Sequence, residues 1–306
     1  DRLTQLKTDG GAVIGNSVRM GNGHFIGRDY IAQLTQIVHG GEREEDVQNS
    51  IALYLHTLRA ELSGLPLGEI DTQTDRAQRN ALTLRDVYVP LATTLRIDDQ
   101  YNLPDWLQSH LKQAEFAVMA QRDLRSSERK VRRVSALEAL AATPRLTLLG
   151  MPGTGKSSFC AHVLLALADA WAGQDDALKH LGAEWIYGGL LPIRIVLREF
   201  ADRLPEGRKP TAGDLWDHIG DQLHEQGIGF ASDDHRFLQR LAQRHGALIV
   251  FDGLDECGDV ERRNRVFTAV EAFISTYSAR CRFILTMRPY AWPEGADYFR
   301  GVFELD

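Results

Sequence analysis

Residues 150–157 read Gly-Met-Pro-Gly-Thr-Gly-Lys-Ser. They fill the spacing G-x-x-x-x-G-K-S/T of a phosphate-binding loop. Before them, Arg-Leu-Thr-Leu-Leu at 145–149 is an apolar run that reads as a buried strand. After them, residues 158–172 place Phe159, Val163, Leu164, Leu167 and Trp171 at helical spacing. The motif therefore lies between a strand and a helix N-terminus. Glycines there let backbone N–H groups turn inward and approach phosphate oxygens closely. The helix start adds unpaired N–H groups and a partial positive charge. On this reading Gly150, Met151, Pro152, Gly153, Thr154, Gly155, Lys156, Ser157 and Ser158 form a nucleotide-binding loop. Lys156 reaches the β- and γ-phosphates, and the Ser157 hydroxyl ligates Mg²⁺.

So short a pattern also occurs by chance in glycine-rich turns, and a second motif decides between the two. Ala-Leu-Ile-Val-Phe at 247–251 is a continuous apolar run, typical of a strand buried on both faces of a parallel sheet. Asp-Gly-Leu-Asp-Glu follows at 252–256. Ligands of open α/β sheets bind at the carboxyl ends of strands, which is where Asp252 emerges. Asp252 is the second candidate to hold Mg²⁺, through water. Glu256 is the candidate general base for an attacking water, with Asp255 in support.

Two more strands are expected. Residues 281–286 are followed by Met-Arg-Pro, which puts Thr286 and Arg288 at a strand end as candidate γ-phosphate sensors. Residues 191–197 are followed by Arg198, a weaker candidate for the same role. They lie between the two phosphate motifs in sequence, as expected if an extra strand separates the loop strand from the acidic strand.

These four runs carry a family resemblance: Leu-Leu-Gly-Met-Pro-Gly-Thr-Gly-Lys-Ser-Ser at 148–158, Pro-Ile-Arg-Ile-Val-Leu-Arg-Glu-Phe at 192–200, Ile-Val-Phe-Asp-Gly-Leu-Asp-Glu at 249–256 and Ile-Leu-Thr-Met-Arg-Pro at 284–289. The chain resembles the NACHT branch of the STAND signalling NTPases over about residues 80–306. Val-Tyr-Val-Pro-Leu at 87–91 is similar to the segment that precedes this NTPase in bacterial members. The resemblance implies an α/β P-loop NTPase of the ASCE type, a parallel sheet flanked by helices. It implies a switch that holds ADP at rest, exchanges it for ATP with Mg²⁺, hydrolyses slowly and assembles into a homo-oligomer. In bacteria it implies antiviral defence, with the trigger ligand and effector outside this chain. Members continue into helical, winged-helix and sensor regions, expected beyond residue 306. Adenine is favoured over guanine from the resemblance, and Tyr88 is the candidate for the adenine pocket. Two other functions stay open: a conventional turning-over ATPase such as a remodelling motor, and a scaffold that keeps nucleotide for stability.

The remaining sequence divides into a glycine-rich β segment at 1–40, a mainly helical region at 41–125 and the NTPase at 126–306. Residues 10–29 alternate short apolar pairs with Gly or Asn, which suits short strands and tight turns. Residues 43–65 read as an amphipathic helix with Val47, Ile51, Leu53, Tyr54, Leu58 and Leu62 on one apolar stripe. Residues 84–91 read as a strand and 102–119 as a helix. The basic cluster at 122–133 is read first as a solvated helix, then as a subunit contact; no stacking aromatics interleave with it, which counts against nucleic acid.

With 306 residues and a net charge of −7, the chain is long enough for a sizeable α/β core and is no general polyanion binder. Cys160, Cys257 and Cys281 have no metal-ligand spacing and read as reduced thiols. No apolar run approaches the roughly 20 residues needed to span a bilayer. A cytoplasmic protein without membrane partners is expected.

Overall fold

Apolar strands alternating with amphipathic helices produce a parallel sheet covered by helices. The computed structural model of the chain describes residues 6–8, 11–13, 44–63, 92–95, 132–174, 176–228, 236–277, 279–292 and 301–305. In chain order these form strands β1 (Leu6–Thr8) and β2 (Gly11–Val13), helix α1 (Glu44–Ser63), β3 (Ala92–Leu95), β4 (Arg132–Ser135), α2 (Ala136–Ala142), β5 (Arg145–Leu149) and α3 (Lys156–Trp171). There follow β6 (Leu191–Val196), α4 (Leu197–Ala201), α5 (Ala212–Glu225), α6 (Arg236–His245), β7 (Ala247–Asp252), α7 (Val260–Tyr277), β8 (Arg282–Met287) and β9 (Gly301–Leu305). The strand expected at 84–91, the helix at 102–119, Tyr88 and most of the 122–133 cluster lie outside the described residues.

β1 and β2 pair antiparallel as a separate hairpin. The other seven strands form one sheet in the order β4-β3-β9-β5-β8-β7-β6. From β9 to β6 all neighbours are parallel, and β3 and β4 add an antiparallel margin. All six residues of β7 and of β8 are buried; the apolar stretches 247–251 and 283–285 suit burial on both faces, and the polar Asp252, Arg282 and Thr286 are hydrogen-bonded. The strand that separates the loop strand β5 from the acidic strand β7 is β8. The run at 191–197, considered for that place from its position in sequence, instead forms β6 beyond β7. Chain order cannot decide this, because each strand of a parallel sheet returns through a helix and is free to insert between earlier strands.

The loop helix α3 is buried from Phe159 to Trp171 without interruption. A helix apolar all round has to be enclosed. One side of α3 faces the sheet, and α1 and the 3₁₀ turn Ala177–Leu181 cover it from outside. α1 contributes Ile51, Leu55, Leu58 and Leu62, all but fully buried and spaced on one helical face. Each such side chain contributes about 1.5–3 kcal/mol of burial before entropy is counted. Leu53, expected on this stripe, is 44% exposed, because two residues past Ile51 the helix has turned to its opposite face. The Tyr54 hydroxyl donates to Pro192 O at 2.7 Å, and Arg59 Nη2 donates to Ala168 O at 2.8 Å. α1 precedes residue 126 in sequence, yet its side chains join the same core as the sheet.

α2 starts with a reciprocal cap. Glu138 N–H donates to Ser135 Oγ at 3.1 Å, and Ser135 N–H donates to Glu138 Oε2 at 2.7 Å. At its other end Arg282 donates to Leu140 O and Ala141 O and lies 3.8 Å from the centre of the Tyr187 ring. A buried guanidinium is held by carbonyls and a ring face rather than by a carboxylate.

One packing choice has a measurable consequence. His218 on α5 is 2% exposed, edge-on to Phe200, and neither ring nitrogen has a hydrogen-bond partner among the described residues. Burial pushes its pKa down to about 4, with the charge of Arg203 acting in the same direction. The unfolded chain takes up this proton below about pH 6.5, whereas the folded chain resists until about 4. Above 6.5 the histidine is neutral in both states and adds nothing to the pH dependence. As pH falls between these two values the unfolded state gains, by about 3 kcal/mol in all. Urea unfolding at about pH 7 and about pH 4.5 is expected to show this loss in the wild type. His218→Phe is expected to show it reduced by about that amount.

Candidate functional site

The carboxyl ends of β5, β8 and β7 come together at one edge of the sheet. In register, Leu148 lies opposite Thr286, and Phe251 opposite Leu285, so Asp252 follows beside Thr286. Gly150 N–H donates to Met287 O at 3.3 Å, tying the start of the loop to the end of β8. Gly153 and Gly155 take φ of 82° and 86°, values that side chains resist, and Gly155 is the N-cap of α3. α3 begins at Lys156, so Lys156, Ser157 and Ser158 form its first turn. The loop from Pro152 to Ser158, the turn after β7, Thr286 and Arg288 line one cavity of about 300 Å³. That is the low end of small-molecule sites.

Every expected site residue except Tyr88, which lies outside the described residues, has a place in the structure. Gly150 and Met151 present carbonyls to the loop's own lysine: Lys156 Nζ donates to Gly150 O at 2.5 Å and to Met151 O at 3.0 Å. Burial lowers the Lys156 pKa; Asp255 and Asp252 oppose the shift and Arg288 adds to it. Asp252 is buried, and its Oδ1 accepts from the Thr286 hydroxyl at 2.8 Å. The same hydroxyl accepts from Gly253 N–H at 2.8 Å, so Thr286 fixes both the acidic side chain and the turn behind it. Gly253 has φ of 81° and leads into a 3₁₀ turn, Leu254–Glu256.

Asp255 and Glu256 line the same cavity, but their carboxylates have different partners. The Asp255 carboxylate accepts from Arg288 Nε at 2.9 Å and from Arg288 N–H at 3.2 Å, and its side chain is 6% exposed. Asp255 therefore fixes the orientation of Arg288. Glu256 lines the cavity with a half-exposed side chain, and Arg198 Nη1 lies 4.0 Å from its Oε2. Arg198, weighed as a phosphate sensor, faces the candidate base; Arg288 lines the cavity.

Arg194 had no role in the sequence reading. It donates from Nε and Nη2 to Asp252 Oδ2, at 3.2 and 2.7 Å. A sequence signal existed: an arginine inside the apolar run Pro-Ile-Arg-Ile-Val needs a partner once buried. Cys160, Cys257 and Cys281 are free and buried, and burial raises all three thiols, Cys257 to about 12 and Cys281 to about 11. They are protonated and unreactive at neutral pH.

Thr286→Val keeps the shape of β8 but strands Gly253 N–H and Asp252 Oδ1 beside a methyl group. A loss of about 1–3 kcal/mol is expected in urea unfolding. Thr286→Ser, which restores the hydroxyl, is expected to stay near the wild type.

The family model described as nephrocystin 3, N-terminal, matches residues 134–288, just over half of the 306. The chain belongs to the nephrocystin 3 N-terminal family. The family match begins in β4 and ends at Arg288, so it encloses the loop, Asp252, Asp255, Glu256, Thr286 and Arg194. Tyr88 falls outside it. No curated protein matches the chain. Among the described residues no helix is long and apolar enough to cross a membrane.

Proposed function

We propose that this chain is an ATP- and ADP-binding switch of the NACHT type within its family, with slow ATP hydrolysis controlling assembly into a homo-oligomer. The observation that carries the reading is one cavity lined by Lys156, Ser157, Asp252, Glu256 and Arg288 at the carboxyl edge of a parallel sheet. Glycine-loop N–H groups and the α3 N-terminus suit polyphosphate oxygens. The donor set also suits Mg²⁺. Ser157 offers a hydroxyl and Asp252 a carboxylate, both hard oxygens. Among the described residues no group of three or more His, Cys, Asp or Glu could cage a metal. An ion held by one or two protein oxygens, nucleotide phosphate and water matches that composition. When bound, Mg²⁺ would neutralise charge on the β- and γ-phosphates.

The chain's own residues supply the rest. Lys156 holds the β- and γ-phosphates. Arg288, oriented by Asp255, would meet the γ-phosphate. Glu256 accepts a proton from the water whose oxygen attacks the γ-phosphorus, as the bond to the β-phosphate oxygen breaks and ADP and phosphate form. Moving a two-state equilibrium from 1:99 to 99:1 needs about 5.5 kcal/mol of differential affinity. Charge-assisted hydrogen bonds contribute about 1.5–3 kcal/mol each, so Lys156, Arg288 and the metal together span that range. Bacterial antiviral defence is the setting the sequence resemblance suggests. Size-exclusion chromatography with ADP and with a non-hydrolysable ATP analogue tests the switch. A larger species with the analogue alone is expected, and identical elution with both would sink the assembly reading.

A further inference from the structure

Arg194 occupies β6 between Ile193 and Ile195, both buried, and its own side chain is 21% exposed. β6 and β7 pair so that Val196 lies opposite Asp252, and Arg194, two residues earlier, shares that face. Its two N–H groups converge on Asp252 Oδ2, while Thr286 occupies Oδ1. The carboxylate best placed to attract a divalent cation therefore already carries a unit positive charge at hydrogen-bond distance. Two cations on one carboxylate repel, and the more so in a partly buried site.

Arg194 also faces the other way. It lines a second cavity, about 420 Å³, bordered by α1, β6 and α5 beyond the last strand of the sheet order. Glu61 and Glu199 line the same cavity. Burial chiefly raises the Glu61 pKa, and the charge of Arg194 works against that rise, so guanidinium and carboxylate already sense each other. The arginine thus pairs with Asp252 and shares a cavity with two further carboxylates, Glu61 and Glu199, which accept from Gln226 and Gln222.

We propose that Arg194 is a two-position latch: resting on Asp252 it opposes a divalent cation there, and swung toward Glu61 and Glu199 it frees Asp252 for that cation. The latch rests on the reading of the glycine loop as a nucleotide site. It makes Arg194 a positioning residue, acting on the metal site through Asp252. It also gives the edge cavity a consequence, since whatever alters the charge at Glu61 alters cation affinity about one strand away.

The test is Mn²⁺ binding, followed by electron paramagnetic resonance, with a non-hydrolysable ATP analogue present. Arg194→Gln is expected to lower the Mn²⁺ concentration for half-saturation about tenfold, by removing the competing charge. Glu61→Gln is expected to raise it several-fold, by weakening the alternative seat, and Arg194→Lys to fall between wild type and Arg194→Gln. Glu61→Gln keeps the Arg194–Asp252 pair intact, so it decides the matter even if Arg194→Gln fails to fold. A merely structural arginine would not move the two variants in opposite directions. Unchanged or weaker Mn²⁺ binding in a folded Arg194→Gln, or a Glu61→Gln that does not weaken binding, overturns the latch. ADP binding in excess EDTA, measured on the same proteins, isolates the underlying reading. Normal ADP binding with no opposite shifts sinks the latch alone, and no ADP binding by the wild type sinks both.

Discussion

Lys156→Ala is expected to abolish detectable nucleotide binding. The Lys156 ammonium lies inside the loop it closes, donating to Gly150 O and Met151 O. Among the described residues it has no ion-pair partner, so its charge is uncommitted to any carboxylate. Burial lowers its pKa, the sign of a charge held out of water without full compensation. A bound phosphate group would supply that compensation. One or two charge-assisted hydrogen bonds at about 1.5–3 kcal/mol each put the loss between about tenfold and about 10⁴-fold in Kd. The bonds that Lys156 makes in the protein go to carbonyls of a partly exposed loop, so the variant should fold. Isothermal titration with ADP checks the affinity, and circular dichroism checks the fold. Affinity within a few-fold of the wild type would place the nucleotide elsewhere.

Glu256→Gln is the second large effect: ATP stays bound and hydrolysis slows by about 10²–10⁴-fold. Glu256 closes the 3₁₀ turn Leu254–Glu256, which the positive φ of Gly253 starts, and its half-exposed side chain lines the cavity. Glutamine keeps the shape and removes the proton acceptor. Single-turnover hydrolysis and analogue affinity separate the two consequences. Because ATP persists, any assembled form should accumulate in this variant. Hydrolysis at the wild-type rate would take the role of base away from Glu256, leaving Asp255 committed to Arg288 and Asp252 to Arg194.

What the sequence made legible was local. The loop, β5 before it and α3 after it follow from glycine positions and apolar spacing within about twenty-five residues. β7 and β8 were readable because strands buried on both faces are apolar throughout. Their order was not, since β8 enters between β5 and β7 through long-range pairing that no local pattern encodes. The same limit applies to side-chain partners. Asp255 and Glu256 are adjacent in sequence and line the same cavity, yet the turn pairs one with Arg288 and leaves the other half-exposed near Arg198. Arg194 and Asp252 are 58 residues apart and meet only through the register of β6 and β7. α1 was readable as amphipathic, but its docking on α3 and β6, where Arg59 reaches Ala168 and Tyr54 reaches Pro192, was not.

The most direct test of the central claim is to denature the purified, untreated protein and identify what it releases. About one ADP per chain is expected, held by the loop and slow to exchange. A protein that releases no nucleotide, and then binds neither added ADP nor added ATP, would contradict that claim.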